Sequence, residues 1–424
     1  MALVVDGLKP AGITVDSTGN SYVIGTKGLG ADPLSPLTSL GYRVWIIKYD
    51  VCGNEVWSRT YLPNNGQGTA IAIGPSGFIY VAAQAYSLGL AGRDIYIGKL
   101  NSATGDVVWW RVFDGPGTVP AGGDLDVDFD RPDDLTVDSH GNIFVTGVIT
   151  SEIITDSGGF YTGKKDLWVG KFRENTSGTA DLLAETTYNG PADGSDEGKA
   201  LLLDSTESSL YVTGYSKASS APWNHLFLQK YSAADLSPLW ASPVEGSVTG
   251  GEQGVVGESV KFNEGLLYVG GIAGAADLTG WRPESDGFIG FFDSSTGIEK
   301  FAPLYLNGAA NQRDGVMDIL VDSPVLYLTG ARTDAPQTDA VYSGDMWTAR
   351  INLETRAAEW SDTITAGSRG RADLGSRLAR DSAGSLYVVG ELEVEAPVTS
   401  PPCIHSYCFH QYVIHKYCAA EAGP

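Results

Sequence analysis

A β-rich segment of about 60 residues recurs seven times along this chain and constrains its fold more than any other feature. Each copy has two strand-like runs around a tight turn, as in residues 13–25 (ITVDSTGNSYVIG) and residues 135–147 (LTVDSHGNIFVTG). The copies centre on Tyr22, Tyr80, Phe144, Tyr211, Tyr268, Tyr327 and Tyr387. Such a unit cannot bury its apolar face alone, so the copies are expected to stack on one another.

Each copy continues with a third strand that usually ends in Lys or Arg and a fourth that carries Trp or Tyr. Four strands repeated seven times predict an all-β fold, a single seven-bladed β-propeller with four antiparallel strands per blade. The last copy has only three strands before the chain ends. We therefore expect the strand at residues 2–7 to complete the last blade and close the ring, which removes exposed sheet edges.

The predicted blades all belong to one domain of residues 1–424. Their approximate ranges are 11–63, 68–115, 133–190, 198–246, 257–308, 315–367, and 375–418 together with 2–7.

The core Val-Asp-Ser-x-Gly-Asn-x-Tyr-Val-x-Gly, followed by Asp-x-x-x-x-Lys, resembles the seven-bladed β-propeller repeat family. That family is found mostly in bacterial secreted and cell-surface proteins. The resemblance covers nearly the whole chain. It implies the fold but no particular activity, because no catalytic motif defines the family.

Two charged positions recur in the repeat, an Asp after the first strand and a cation in the third strand. Both fall near one end of a blade whose faces are largely buried, where a cation needs a partner. We expect structural ion pairs, with the Asp also accepting hydrogen bonds from turn amides. The pairs are Asp16–Lys48, Asp138–Lys171, Asp204–Lys230, Asp322–Arg350 and Asp381–Lys416.

The longest loops follow the second strands and carry aromatic residues, which marks one face of the propeller as the working face. Trp and Tyr beside polar groups suit sugar stacking or a protein contact. The alternative is that these side chains cap blade ends or pack on neighbouring loops. The candidates are Tyr86, Phe160, Tyr161, Trp223, Trp281, Arg282, Tyr342 and Tyr407.

Acidic residues gather where the chain enters the first strands, and they are expected to ring one mouth of the central channel. In addition, Asp124, Asp126 and Asp128 alternate along one stretch, so they would lie on one side of an extended chain. Oxygen ligands in that spacing resemble a calcium loop, although Phe129 stands where a helical-hand loop needs Gly. An acidic rim without metal is the alternative. No cofactor is required by the sequence, and calcium is the one metal it suggests.

Three cysteines crowd the last copy and one lies in the first. A Cys403–Cys408 disulfide is the simplest pairing, and a Cys52–Cys418 bridge could lock the ring closure. Four cysteines permit other pairings, and free thiols in a reducing compartment are a further alternative.

The formal charge of −23 disfavours nucleic acids and anionic lipids as partners, and no apolar run is long enough to insert into a membrane. Nucleophile elbows, phosphate loops and zinc-protease motifs are absent from the sequence. We therefore expect a non-catalytic binding or scaffold module that presents its loop face to a glycan or protein.

The expected location is extracellular, at a cell surface or on a virion surface, because the family is mostly secreted. The first residues do not form a signal peptide, so a mature secreted chain, a virion component and a chain that is intracellular as made are all compatible with the sequence. One alternative function is a structural subunit of a virion or extracellular assembly. A second is a polysaccharide hydrolase or lyase that uses carboxylates at the channel mouth.

Overall fold

The computed structural model describes most of the chain. The described residues are 2–6, 8–28, 41–62, 65–86, 92–117, 127–155, 161–217, 224–246, 254–274, 285–308, 314–333, 344–365, 373–393 and 410–417. Within them, no helix is long and apolar enough to cross a membrane.

These residues form seven four-stranded antiparallel sheets, which confirms the predicted all-β, seven-bladed β-propeller. Blade 1 contains β2 (Leu8–Val15), β3 (Ser21–Gly28), β4 (Tyr42–Tyr49) and β5 (Glu55–Tyr61). Blade 2 contains β6 (Gln67–Ile73), β7 (Phe78–Tyr86), β8 (Arg93–Asn101) and β9 (Val107–Phe113). Blade 3 contains β10 (Arg131–Val137), β11 (Asn142–Thr155), β12 (Tyr161–Glu174) and β13 (Ala180–Tyr188). Blade 4 contains β14 (Glu197–Leu203), β15 (Ser209–Lys217), β16 (Asn224–Ser232) and β17 (Val244–Gly246).

The remaining three sheets follow the same order. Blade 5 contains β18 (Val255–Asn263), β19 (Leu266–Ala273), β20 (Asp286–Asp293) and β21 (Glu299–Leu306). Blade 6 contains β22 (Gly315–Asp322), β23 (Val325–Arg332), β24 (Asp345–Asn352) and β25 (Ala358–Ile364). Blade 7 contains β26 (Leu374–Arg380), β27 (Leu386–Glu393), β28 (His410–Tyr417) and, from the other end of the chain, β1 (Ala2–Asp6).

The N-terminal strand completes the last blade, as the three-strand seventh copy predicts. β1 pairs antiparallel with β28 from Ala2 opposite His415 to Asp6 opposite Gln411. Without β1, the outer backbone groups of β28 would form an open sheet edge.

The burial of each strand follows its place in the blade. In β7 every residue except the first and last is buried, whereas β13 alternates between exposed and partly buried residues. A strand covered on both faces appears as a continuous apolar run, and a partly exposed strand alternates. This difference explains why the second strand of each blade, which carries the central aromatic residue, was the easiest part of the repeat to recognise in the sequence.

The chain contains two compact units. Unit 1 comprises Met1–Gly68, Pro283–Asp286 and Leu306–Pro424, and it holds blades 6, 7 and 1. Unit 2 comprises Thr69–Arg282 and Gly287–Tyr305, and it holds most of blades 2 to 5. The prediction of one domain over residues 1–424 stays a prediction.

Each unit has apolar clusters that join neighbouring blades. In unit 2, Ile97 of blade 2 and Trp168 of blade 3 belong to one buried cluster. In unit 1, Trp45 of blade 1 meets Tyr412 of blade 7 edge to face, with ring centroids 5.3 Å apart. Stacked blades therefore share cores, as expected for a repeat that cannot bury its faces alone.

The recurring aspartates mainly bind their own turns. Asp16 accepts hydrogen bonds from the backbone N–H groups of Thr18 and Asn20, at 2.9 and 3.0 Å. Asp138 and Asp204 bind their turn amides in the same way. Burial would raise the pKa of Asp16, but these hydrogen bonds outweigh burial and lower the pKa to about 2.

The recurring lysines reach toward the next blade. Lys171 Nζ donates to the carbonyl oxygens of Ala233 and Ala234 at 2.8 and 2.9 Å, and Lys230 Nζ lies 3.4 Å from the carbonyl oxygen of Ser294. Each ammonium also lies near the central aromatic ring of its own blade, with distances to the centroid of 4.8–5.7 Å for Lys48, Lys99, Lys171, Lys230 and Lys416.

Among the described residues, a salt bridge joins the predicted partners in one of the five blades. In blade 7, Lys416 Nζ lies 3.7 Å from Asp381. The pairing predicted for Asp322–Arg350 is replaced, because Asp322 pairs with Arg380 and Arg350 pairs with Glu359. In the part of the chain that the structure describes, no salt bridge joins Asp16 to Lys48, Asp138 to Lys171 or Asp204 to Lys230, and turn amides bind each carboxylate. The charge of Asp138 nevertheless acts on Lys171, where it partly opposes the lowering of the pKa by burial.

Cys52 is exposed and its thiol is free, in contrast to the predicted bridge with Cys418. Cys403, Cys408 and Cys418 lie outside the described residues, so the Cys403–Cys408 pairing stays a prediction.

Candidate binding surface on blades 2 to 4

Two of the predicted loop-face residues lie at the ends of second and third strands. Tyr86 is the last residue of β7 and Tyr161 is the first of β12, and both are partly exposed. Phe160, Trp223, Trp281, Arg282, Tyr342 and Tyr407 lie outside the described residues, so their role stays a prediction.

A network of four charged side chains joins the first strands of blades 3 and 4. Arg131 lies 2.6 Å from Glu197 and 3.1 Å from Asp133, and Lys199 lies 2.7 Å from Glu197 and 3.4 Å from Asp133. The charge order is reversed between the two strands, Arg then Asp in β10 and Glu then Lys in β14. Each cation therefore meets both acids, and we call these four residues the ion network.

The ion network is well shielded, which fixes its charges. Side-chain exposure ranges from 12% for Glu197 to 24% for Arg131. Burial would raise the pKa of Glu197, but the charges of Lys199 and Arg131 outweigh it and hold that pKa well below its usual range. Glu197 is therefore a permanent carboxylate and is unsuited to act as a general acid.

Beside the ion network, three cations surround one aromatic ring. Lys165 Nζ lies 4.2 Å from the centroid of the Phe129 ring, and the guanidinium carbons of Arg131 and Arg93 lie 5.5 and 5.6 Å from it. The hydroxyl of Tyr86 accepts a hydrogen bond from Arg93 Nε at 3.2 Å. We call Arg93, Arg131 and Lys165 the cationic cluster.

The backbone explains how Phe129 reaches this position. The segment just before β10 runs alongside the start of β8, where Arg93 N–H donates to the Asp128 carbonyl oxygen and Asp130 N–H donates to that of Arg93. Alternate residues of an extended segment point to opposite sides. Phe129 therefore meets the cations while Asp128 and Asp130 face the other way, as the alternation in the sequence predicts for these two acids.

Lys165 is the least satisfied member of the cationic cluster. Among the described residues, no group accepts a hydrogen bond from its ammonium, which is half-buried. Burial lowers the pKa of Lys165; the charge of Glu197 partly opposes this effect, and those of Arg131 and Arg93 add to it. Glu197 therefore offsets part of the repulsion from the two guanidinium groups, but no anion among the described residues contacts the ammonium directly.

The acids expected at the channel mouth are largely occupied within the blades. Asp196 accepts hydrogen bonds from the N–H groups of Gly190 and Lys217, at 2.7 and 2.8 Å. Asp314 binds two amides in the same way. Burial raises the pKa of each to about 6, although the amide bonds oppose that rise. These acids hold the chain where it passes into the next blade.

The calcium prediction is changed by the fold. Asp124 and Asp126 lie outside the described residues, and Asp128 is buried beside acids from blade 2. One carboxylate oxygen from each of Asp94, Asp114 and Asp130 lies within 4.8 Å of the other two. Burial and then the charges of Asp114 and Asp94 raise the pKa of Asp128 to about 7. We call Asp94, Asp114, Asp128 and Asp130 the carboxylate cluster.

Sequence reasoning missed the cations and Asp94, although signals for both were present. Lys165 stands in blade 3 where Arg93 stands in blade 2, each directly before the aspartate that begins the Asp-x-x-x-x-Lys pattern. At the positions of the ion network, blade 6 has Gly315 and Met317, which carry no charge. Charged residues that occupy these repeat positions in blades 3 and 4, but not in blade 6, were the signal in the sequence that could have indicated the site.

No protein-family model and no curated protein matches the chain. Among solved structures, BamB from Moraxella catarrhalis is similar, with 12% identity, a TM-score of 0.43, and coverage of 96% of this chain and 85% of that one. The β-propeller domain of the Trilobed protease from Pyrococcus furiosus has 7% identity and a TM-score of 0.46, covering 98% and 96%. Quinohemoprotein alcohol dehydrogenase from Comamonas testosteroni has 11% identity and a TM-score of 0.44, covering 98% and 73%. No conclusion about function follows from similarities this weak.

Proposed function

We propose that this protein is a non-catalytic β-propeller that binds an acidic glycan, or an acidic segment of a protein, at the cationic cluster. The observation that carries this proposal is Lys165, whose half-buried ammonium lies beside Arg93 and Arg131 with no acceptor among the described residues. A carboxylate or sulfate of the partner would supply that acceptor and reduce the repulsion within the cluster.

The neighbouring side chains support a binding role because they hold the cluster in place. Arg131 is fixed by Glu197 and Asp133, and Arg93 is fixed against Tyr86. Cations that are already positioned lose little conformational freedom on binding. Tyr161, partly exposed at the start of β12, could add a stacking surface for a sugar ring.

The alternative is a polysaccharide hydrolase or lyase. Glycoside hydrolysis generally needs one protonated and one ionised carboxyl group on either side of the scissile bond. Here Glu197 is held ionised within the ion network, and Asp196 and Asp314 bind backbone amides. This arrangement favours binding over turnover, and an assay that releases reducing ends from uronate polysaccharides would test the alternative directly.

We also propose that the chain belongs to the bacterial repeat family it resembles. On that basis it would act outside the cell or on a cell or particle surface, alone or as a subunit of a virion or extracellular assembly.

Replacing Lys165 tests the proposal. Lys165→Met should weaken binding to oligogalacturonate, or to a poly-glutamate peptide, by about tenfold or more, because a charge-assisted hydrogen bond contributes about 1.5–3 kcal/mol. The same variant should unfold at a slightly higher temperature, because it removes repulsion and a partly desolvated charge. Calorimetric titration and thermal unfolding measure the two effects.

Lys300→Gln is the matched control, since Lys300 is exposed and pairs with Asp293 in the turn at the opposite end of blade 5. The affinity of this control for the acidic probes should equal that of the native protein. The affinity of the native protein should fall when salt is added, because salt screens the charges. Equal affinity in native and Lys165→Met protein, or no binding to either acidic probe, would overturn the proposal.

A further inference from the structure

Pairs of acids recur where one blade passes into the next. Asp166 within β12, the third strand of blade 3, lies near Asp196 before blade 4, and the charge of Asp166 raises the pKa of Asp196. Asp286 and Asp314 form the equivalent pair between blades 5 and 6. Asp94 and Asp130 form the equivalent pair between blades 2 and 3. These two acids alone therefore do not distinguish this junction from the others.

The junction between blades 2 and 3 carries two further acids. Asp114 stands directly before the Gly115 amide that binds Asp130, where the next junction has Asn189 before Gly190. Asp128 stands two residues before Asp130, where the next junction has Gly194 two residues before Asp196. One junction therefore buries three carboxyl groups, with the exposed Asp114 beside them, where the other buries two.

Asp128 is the member that the protein itself leaves unsatisfied. Only 2% of the residue is exposed, and its Oδ1 atom has no hydrogen-bond partner among the described residues. The backbone packs tightly around it, because a Cβ built on Gly92 would lie 2.6 Å from the Asp128 Cβ atom and one built on Gly117 would lie 2.7 Å from Oδ1. A buried acceptor without a donor is costly unless a cation occupies the space beside it.

The spacing of the other oxygens suits a hard cation. Two ligands of Ca²⁺, each 2.3–2.6 Å from the ion, are at most about 5 Å apart. The oxygens of Asp94, Asp114 and Asp130 lie within 4.8 Å of one another. Asp130 also accepts hydrogen bonds from Gly115 and Thr150, at 2.5 and 2.8 Å, which fixes its orientation.

We infer that Asp94, Asp114 and Asp130, with Asp128 beside them, bind one divalent cation of the calcium type and that this ion joins blade 2 to blade 3. The ligands come from the start of β8, the residue directly after β9, and the segment before β10. The ion would hold together three stretches of chain that otherwise repel one another. This site is separate from the cationic cluster, which lies on the other side of the segment 128–130.

The test uses full-length protein dialysed against a chelator and then against chelator-free buffer. Adding 1 mM CaCl₂ should raise the unfolding temperature by about 2 °C or more, and calorimetry should give one site with a dissociation constant below about 1 mM. Asp114→Asn, which copies Asn189 of the next junction, and Asp128→Asn should each abolish this shift. Without calcium both variants should be at least as stable as the native protein, because each removes one like charge from the carboxylate cluster, an exposed one at Asp114 and a buried one at Asp128.

Asp166→Asn is the control, since it changes the acid pair between blades 3 and 4 and should leave the calcium response intact. An ion that binds tightly could remain on the protein during dialysis against the chelator. Elemental analysis of the dialysed proteins would detect it, and the metal should then be present in native protein and absent from the two cluster variants. Equal calcium-induced shifts in unfolding temperature for native protein and the cluster variants would mean non-specific binding to an acidic surface and would overturn the inference. Native protein that neither binds calcium nor retains a metal would also overturn it. Binding of oligogalacturonate is measured separately, so failure here leaves the proposed function standing.

Discussion

Asp314 shows how a single buried acid makes the stability of this fold depend on pH. Its carboxylate accepts hydrogen bonds from Gly308 N–H and from Thr333 N–H, the latter at 2.6 Å. Burial raises its pKa to about 6 against the opposing effect of those amides; Asp286 raises it further and Arg332 lowers it. The folded state therefore holds the Asp314 proton more tightly than the unfolded chain does.

Asp314→Asn should change the pH profile of unfolding. Because the folded pKa lies above the usual aspartate value of 3.8, the stabilisation from protonated Asp314 is complete below about pH 4 and is lost as pH rises through about 6. The free energy of unfolding of native protein minus that of the variant should therefore increase between pH 7 and pH 4, by up to about 3 kcal/mol.

Other acids titrate equally in both proteins and cancel in this difference, which chemical denaturation at several pH values measures. A flat difference for Asp314→Asn would contradict the assigned role of Asp314.

At the scale of strands and turns, the recurring Asp and Lys illustrate what a one-dimensional pattern can and cannot predict. The repeat placed both residues at the same end of the blade, and the structure has them there. Their partners depended on the neighbouring blade, because Lys171 finds carbonyl oxygens of blade 4 while Asp138 is satisfied within its own turn. A pattern within one blade holds no information on contacts between blades, and within the described ranges a salt bridge joins the predicted partners in one of the five blades.

Two double-mutant cycles distinguish the paired blade from an unpaired one. In blade 7, Asp381→Asn and Lys416→Met should be coupled by about 1 kcal/mol, because the two charges are 3.7 Å apart and the carboxylate is buried. In blade 3, Asp138→Asn and Lys171→Met should each destabilise the protein, with a coupling of about half that value or less. Denaturant unfolding of the native protein, the four single variants and the two double variants gives both couplings. Equal couplings in the two blades would show that the turn and carbonyl contacts do not separate the charges in blade 3.

For the whole molecule, the sequence predicted the number of blades and the origin of the last outer strand because both follow from counting repeats. The candidate site could not be predicted in this way. Arg93, Phe129 and Lys165 are far apart in the sequence and meet only because the segment before β10 returns to the start of β8. The acidic alternation around Asp128 did predict that carboxylates would share one side, but Asp94 and Asp114 come from another blade.

The N-terminal strand is the feature of the whole chain that is most directly testable. β1 pairs along its length with β28, so the last blade depends on residues from both ends of the chain. Replacing residues 2–6 by Gly-Ser-Gly-Ser-Gly should lower the unfolding temperature and promote association, because the backbone groups of β28 would become an open edge. Replacing them by Thr-Val-Thr-Val-Thr should preserve both properties, because β-branched residues favour a strand and the pairing depends on the backbone.

Thermal unfolding and light scattering after size exclusion distinguish these two variants. The Gly-Ser variant should regain stability when a synthetic peptide of residues 1–7 is added, since the vacant edge can bind a strand supplied from outside. If the Gly-Ser variant were as stable and as monodisperse as the native protein, β1 would contribute little, and blade 7 would be stable with its other three strands alone.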